Sequence, residues 1–237
     1  IDRKNGFDGE VQLHVDGLPE GVTATCGKIL TGKVDDGCII FKAAATVPLS
    51  ATNVTIRGTS TWKASDTESR ELAAVAGVYQ ETYQPGGGRG HWPVETHTIS
   101  IGAPADIRTI KLSDKDASMK SVDGGGYEVT LKPGETKTIE VIIERAEGFD
   151  KNVTLDVMFQ HLGIFANTLP TGVKFDEGKS SKLITGKNVK GHIVLTADAT
   201  AAPVERQLIP VTANVSLNFV MKTTFSAEPL WLTIAKP

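Results

Sequence analysis

Aromatic, amide and guanidinium side chains lie close together in one short segment of the sequence, residues 79–93. Flat rings stack on sugar faces or fill pockets of a partner protein, and arginine offers a planar fork of hydrogen-bond donors. Glycines separate these groups, as expected of a loop, and binding residues are often carried on loops. We interpret the segment as an inserted loop with five candidate ligand-binding residues: Tyr79, Tyr83, Gln84, Arg89 and Trp92. The alternative is a long hairpin tip whose rings pack on their own domain.

Three further side chains in this region are of types that bind metals. His91, Glu95 and His97 share strand parity, so on one continuous strand they would project from the same face. Pro93 interrupts that strand, and polar side chains on an exposed strand face need no ligand. We name these residues as metal candidates and expect neither a metal nor another cofactor.

The two cysteines of the chain, Cys26 and Cys38, flank a predicted hairpin at residues 27–34. Their joint presence in one part of the chain favours a disulfide, which in turn indicates an oxidising compartment. Two unpaired buried thiols are the alternative. The segment between them resembles a phosphate-binding loop, but Val34 replaces the hydroxyl residue that such a loop needs. No nucleophile or metalloprotease motif is present, so we expect a protein that is not an enzyme.

Internal repetition organises the whole sequence. Residues 1–15 align without a gap with residues 143–157, and both contain an arginine, Gly-Phe-Asp and an alternating Val-x-Leu-x-Val. Leu18–Val22 aligns with Leu169–Val173, and residues 31–46 align with 185–200. Three blocks in the same order indicate a duplicated domain. We place the boundary near Pro104, which gives domains at residues 1–104 and 105–237.

Alternation of apolar and polar residues predicts β-strands in both copies. Val11, Leu13 and Val15 alternate with polar residues. A longer alternation of the same kind extends from Ile209 to Met221. Residues 68–76 are the only helical candidate, and we favour a strand there. Short strands separated by polar turns are typical of a β-sandwich.

The first copy lacks a counterpart of Tyr127–Ile142, which supplies a strand, a turn and most of another strand in the second copy. We expect the first domain to be incomplete at its N-terminal side. Either the chain is a fragment of a longer polypeptide, or a partner adds a strand at the open edge.

The aligned blocks also resemble a known family. The pattern Arg-x-x-Gly-Phe-x-Gly-x-Val-x-Leu occurs at residues 3–13, Gly-Leu-Pro-x-Gly-Val at 17–22, and a strand beginning Gly-Cys-Ile at 37–45. These motifs are similar to those of tandem immunoglobulin-like modules in large secreted bacterial surface proteins. The resemblance implies two immunoglobulin-like β-sandwiches that act as spacers or adhesive platforms.

Composition excludes several functions. The net charge is −3 and neither half has a basic excess, so we expect no nucleic-acid partner. No apolar run approaches the length of a membrane span. We therefore expect a non-catalytic structural or interaction module of a larger extracellular, cell-envelope or periplasmic protein, with a protein or glycan partner. The alternative is a carbohydrate-binding module that uses the aromatic loop.

Overall fold

The computed structural model describes residues 1–32, 34–63, 68–103, 106–113, 119–123, 125–161, 164–218 and 221–236. Within these ranges, the side chains of residues 80, 81, 83, 84, 89, 161 and 164 are not described. Every regular element of the described residues is a β-strand, and no helix occurs among them. The prediction of an all-β chain is therefore confirmed.

The chain divides into two compact units. The first contains residues 1–35 and 41–103, and the second contains residues 36–40 and 104–237. The sequence did not predict that residues 36–40 group with the second unit.

The described residues between 1 and 103 form nine strands. They are β1 (Val11–Asp16), β2 (Val22–Cys26), β3 (Lys28–Ile29), β4 (Ile39–Ala43), β5 (Ser50–Lys63), β6 (Ser69–Val75), β7 (Val78–Gln84), β8 (Gly88–Val94) and β9 (His97–Ile101). Residues 68–76, for which we favoured a strand over a helix, contain strand β6. Because β5 is long, its first half pairs with β9, while its second half lies between β1 and β6. The main sheet has the order β3-β1-β5-β6, and β2–β4 and β7–β8 form separate pairs.

The part of the chain that the structure describes from residue 106 onward forms fourteen further strands. They are β10 (Ile107–Ser113), β11 (Lys120–Ser121), β12 (Tyr127–Leu131), β13 (Thr136–Arg145), β14 (Val153–Asp156), β15 (Phe159–His161), β16 (Ile164–Ala166), β17 (Val173–Phe175), β18 (Leu183–Ile184), β19 (Lys190–Ala197), β20 (Val204–Ile209), β21 (Thr212–Ser216), β22 (Lys222–Ser226) and β23 (Leu230–Ile234). They form sheets of order β10-β13-β19-β17, β11-β12-β23-β20 and β18-β14-β21-β22, together with the β15–β16 hairpin. Strands β12 and β23 run parallel, whereas β10, β13, β19 and β17 pair antiparallel.

One hydrophobic cluster fills the second unit. The side chains that alternate on β14, Val153 and Leu155, are fully buried, and they share the cluster with residues of β13, β19, β21 and β23. The alternating pattern of this copy therefore marks buried positions, as the sequence predicts.

The strand pairing of the two units corresponds element by element. The aligned repeat equates β1 with β14, and Leu13 lies opposite Gly58 as Leu155 lies opposite Ala213. The second half of β5 therefore corresponds to β21. By the same register, β6 corresponds to β22, and β9 corresponds to β23. Strands β10 to β13 have no such counterpart among the described residues of the first unit.

The long alternation at residues 209–221 is divided in the structure. Strand β20 ends at Ile209, β21 covers Thr212–Ser216, and the chain then turns, with the amide of Leu217 donating to the carbonyl of Met221. Both of these apolar side chains are exposed. The alternation alone does not reveal the turn, because apolar residues can keep to odd-numbered positions on both sides of a hairpin turn of suitable length.

Candidate functional site

The aromatic segment is a β-hairpin inserted into an otherwise repeated connection. In the second unit, Ala227–Pro229 connect β22 directly to β23. In the first unit, β7 and β8 stand between the corresponding strands β6 and β9. The segment therefore consists of two paired strands rather than an irregular loop. Its turn lies at residues 85–87, where Gly86 and Gly87 both have a positive φ that a two-glycine turn adopts without strain.

The hairpin separates the described aromatic residues onto two faces. Tyr79 lies opposite Pro93, and the next residue along the strand, Trp92, points to the other face because side chains alternate. Both rings are accessible: Tyr79 is 73% exposed and Trp92 is 59% exposed. Tyr79 has His91 as a neighbour, with ring centroids 6.4 Å apart. The hairpin thus offers one described ring on each face rather than a single aromatic platform.

Gly90 allows the Trp92 ring to lie close to its own strand. A Cβ atom at Gly90 would stand 3.1 Å from the indole nitrogen of Trp92. The ring therefore lies close to the backbone of Gly90, while most of the residue stays exposed.

The backbone places the other three binding candidates in the same hairpin. Tyr83 pairs with Arg89, and Gln84 pairs with Gly88 next to the turn. Their side chains lie outside the described part of the structure. Their role as ligand-binding residues stays a prediction.

The geometric argument for the metal candidates is wrong. His91 belongs to β8, which pairs with β7, whereas His97 belongs to β9, which pairs with β5. Glu95 lies in the bend between these strands, so the three residues do not share one strand face. The ring of His97 is within hydrogen-bond distance, 3.2 Å, of the carbonyl of Ala76. No group of three metal-binding side chains occurs among the described residues.

The expected disulfide is also absent, because the structure contains Cys26 and Cys38 as free thiols. Cys26 ends β2 in the first unit, while Cys38 lies in the segment 36–40 that groups with the second unit. Burial raises the pKa of Cys38 to about 12, and burial also raises the pKa of Cys26. Both shifts favour the protonated thiol at neutral pH, and the shift is larger for Cys38.

Each unit contains an arginine that donates several hydrogen bonds to backbone carbonyls and that the sequence analysis did not name as a site residue. Arg3 donates to the carbonyls of Gly9, Leu30 and Val34, at 2.8, 2.6 and 3.1 Å. Its guanidinium also lies 5.4 Å from the ring centroid of Phe7. One planar side chain thus connects the backbone at Gly9 with the backbone at Leu30 and Val34, which is about twenty residues further along the chain.

Arg145 repeats this arrangement in the second unit. It donates to the carbonyls of Lys151, Ile184 and Asn188 at 2.7, 3.4 and 2.8 Å, and it lies 5.4 Å from the ring centroid of Phe149. All of these partners are the repeat counterparts of the Arg3 partners. The shared Arg-x-x-Gly-Phe motif contained the signal for this structural role.

The shared Leu-Pro-x-Gly-Val motif is a turn in both units. Val22 donates its amide to the carbonyl of Pro19, and Val173 donates to Pro170. Gly21 and Gly172 occupy the third turn position with φ of +77° and +85°, where a side chain would be strained. The motifs that the two copies share therefore determine the conformation of the backbone.

Comparison of the chain with protein-family models, curated proteins and solved structures yields no match in any of the three. None of the described residues belongs to a helix that could traverse a lipid bilayer.

Proposed function

We propose that the chain is a non-catalytic structural or interaction module built from two immunoglobulin-like β-sandwiches. The strand order of the second unit supports this architecture. Its sheet β10-β13-β19-β17 has the order expected for strands A, B, E and D, and β14, β20–β21 and β22–β23 follow the order of C, F and G. Apolar residues of both sets of strands meet in one core.

The repeated arginine is the observation that carries the proposed role. Arg3 and Arg145 satisfy equivalent carbonyls in the two units, so the residues retained between copies serve to hold turns in place. A duplicated scaffold with an added hairpin is suited to spacing other parts of a protein or presenting a contact surface. The resemblance in sequence favours a secreted or cell-envelope protein.

A binding function for the hairpin is the second candidate, since Tyr79 and Trp92 are large, exposed aromatic side chains. Accessible rings of this kind bind sugars by stacking. This candidate would make the chain a carbohydrate-binding module.

A glycan array separates the two candidates. The wild-type chain and the variants Trp92→Ala and Leu49→Ala are applied to the same array, because Leu49 is an exposed apolar residue outside the hairpin. We expect no glycan to be bound. A glycan bound by the wild type and by Leu49→Ala, but not by Trp92→Ala, would replace the spacer proposal with the carbohydrate-binding one.

A further inference from the structure

Three asparagines of the chain occur in the tripeptide that N-linked glycosylation requires, Asn-x-Ser or Asn-x-Thr with x other than proline. They are Asn53, Asn152 and Asn214. The middle residue of each tripeptide is a valine on a strand, and all three are buried: Val54, Val153 and Val215. Because side chains alternate along a strand, the residues on either side of each valine project away from the core. The three sites differ in what surrounds the asparagine.

The side chain of Asn214 is fully engaged in the folded chain. Asn214 lies on β21, which pairs with β14 on one side and with β22 on the other. Its amide nitrogen donates to the carbonyl of Thr154 at 3.3 Å and to the hydroxyl of Thr212 at 3.2 Å, while its amide oxygen accepts from Thr224 at 2.7 Å. A sugar on this nitrogen would replace one of the two donated hydrogens, so the fold disfavours a glycan at Asn214.

Asn53 is held within a paired strand. All residues from 50 to 54 pair with β9, so the backbone on both sides of Asn53 belongs to a sheet. The hydroxyl of Thr98, opposite Asn53, donates to its amide oxygen at 2.7 Å. The sheet pairing restricts access of an enzyme to this asparagine.

The surroundings of Asn152 are different. It is exposed and lies in an irregular segment, residues 149–152, immediately before β14. Its side-chain amide forms no hydrogen bond within the described part of the chain. Thr154, the hydroxyl residue of the same tripeptide, is also exposed. Asn152 therefore presents an amide nitrogen that an enzyme can reach without breaking a side-chain contact.

An acidic residue two positions before Asn152 adds a second recognition group. Asp150 is exposed, whereas the same position before the other two asparagines is occupied by Ala51 and Thr212. Bacterial oligosaccharyltransferases select acceptors that have Asp or Glu at this position, and a carboxylate there can form charge-assisted hydrogen bonds with an enzyme arginine. The repeat counterpart of this segment, residues 8–12, keeps the aspartate but contains neither the asparagine nor the threonine. The longer pattern thus belongs to the second unit alone.

We propose that Asn152 accepts an N-linked oligosaccharide from a lipid-pyrophosphate donor, with Asp150 and Thr154 as the side chains that the transferase recognises. The amide nitrogen of Asn152 forms a bond to C1 of the first sugar, and the bond between C1 and the pyrophosphate oxygen breaks. The lipid pyrophosphate leaves, and the amide loses one proton to a base of the transferase.

The glycan projects from the outer face of β14, where Leu183 lies opposite Thr154 and is 54% exposed. A bulky, hydrated group at this position suits a spacer module. This inference deepens the role proposed above and rests on the secreted or cell-envelope location, because these transferases modify exported chains.

The test exports the full chain, behind a cleavable signal peptide, into the periplasm of a bacterial host that carries an acid-requiring oligosaccharyltransferase and its lipid-linked donor. The mass of the exported protein is measured, and its proteolytic peptides are mapped by mass spectrometry. We expect a mass increase equal to one oligosaccharide, carried on the peptide that contains Asn152. A reference acceptor protein in the same host shows that the transferase is active.

Four variants locate the modification. Asn152→Gln and Thr154→Val are each expected to abolish the mass increase, because they remove the acceptor asparagine and the recognised hydroxyl. Asp150→Asn is expected to lower the glycosylated fraction at least about tenfold through the loss of charge-assisted hydrogen bonds. The matched control Glu147→Gln neutralises another exposed acid in the same loop and should leave the fraction unchanged.

An unmodified wild-type chain beside a glycosylated reference protein would overturn the proposal, as would an oligosaccharide on Asn53 or Asn214 but not on Asn152. Equal glycosylation of Asp150→Asn and Glu147→Gln would overturn the recognition of Asp150. The spacer proposal would survive each of these outcomes, because the export signal is supplied in this experiment and the glycan array tests that proposal separately.

Discussion

The two units carry the same repeat but differ in how completely they bury it. Leu155 on β14 is 0% exposed, while its counterpart Leu13 on β1 is only half-buried and lines an open groove. Both residues belong to an identical Val-x-Leu-x-Val pattern. In the second unit, strands β10 and β13 contribute buried apolar residues to the core that contains Leu155. A strand pattern therefore specifies an apolar face but not the element that covers that face.

The largest expected effect compares Leu155→Ala with Leu13→Ala. Truncation of Leu155 leaves a cavity in a closed core and should cost about 2–5 kcal/mol of unfolding free energy. Leu13→Ala should cost about 1 kcal/mol, because the groove already leaves this side chain partly exposed. Urea unfolding of each unit is followed by tryptophan fluorescence, since Trp231 lies in the second unit and Trp62 and Trp92 lie in the first.

Single-reporter backgrounds keep the two signals apart: Trp62→Phe with Trp92→Phe for the second unit, and Trp231→Phe for the first. Equal costs for the two leucine substitutions would show that the first unit is as well packed as the second, which would remove the basis of the comparison.

A smaller effect is expected for the repeated arginines. Arg145→Lys and Arg3→Lys keep the positive charge but lose the planar fork, so each should cost about 1.5–3 kcal/mol in its own unit. The same fluorescence-detected unfolding measures both variants, with the exposed Lys4→Met as a control that should be neutral. A neutral result for one arginine alone would mean that the shared motif has different roles in the two units.

The smallest effect concerns the two thiols. Burial raises the pKa of Cys38 to about 12, from an ordinary value of 9.0, so its thiolate is scarcer at pH 8 than that of the less buried Cys26. Iodoacetamide should therefore modify Cys38 about tenfold or more slowly, as measured by mass spectrometry of labelled peptides.

The pH dependence of stability at Cys38 follows from the same shift. The folded state favours the protonated thiol. The contribution of this thiol to the free energy of unfolding is therefore present below pH 9 and is lost as the pH rises from about 9 towards 12.

The labelling experiment also tests the predicted disulfide. A protein mass lower by two hydrogens, with neither cysteine labelled, would show that this bond forms.

The sequence predicted the strands where the local pattern was sufficient. The alternation at Val11–Val15 became β1, and the segment at residues 68–76 became β6. It did not predict that Tyr79 and Trp92 lie on opposite faces, because the segment was interpreted as an inserted loop and the long hairpin was only the alternative. The metal candidates failed for a related reason: parity was extended from His91 to His97 across a bend at Glu95.

The amino-acid sequence by itself determined the all-β character, the duplication and the turns, because alternation, turn glycines and a repeated arginine are local signals. Only the tertiary structure showed that the cysteines belong to separate units, that the two arginines bind equivalent carbonyls, and that residues of β1 line a groove in the first unit. These features depend on contacts between residues far apart in the chain, and a period of two carries no information about which distant strand provides them.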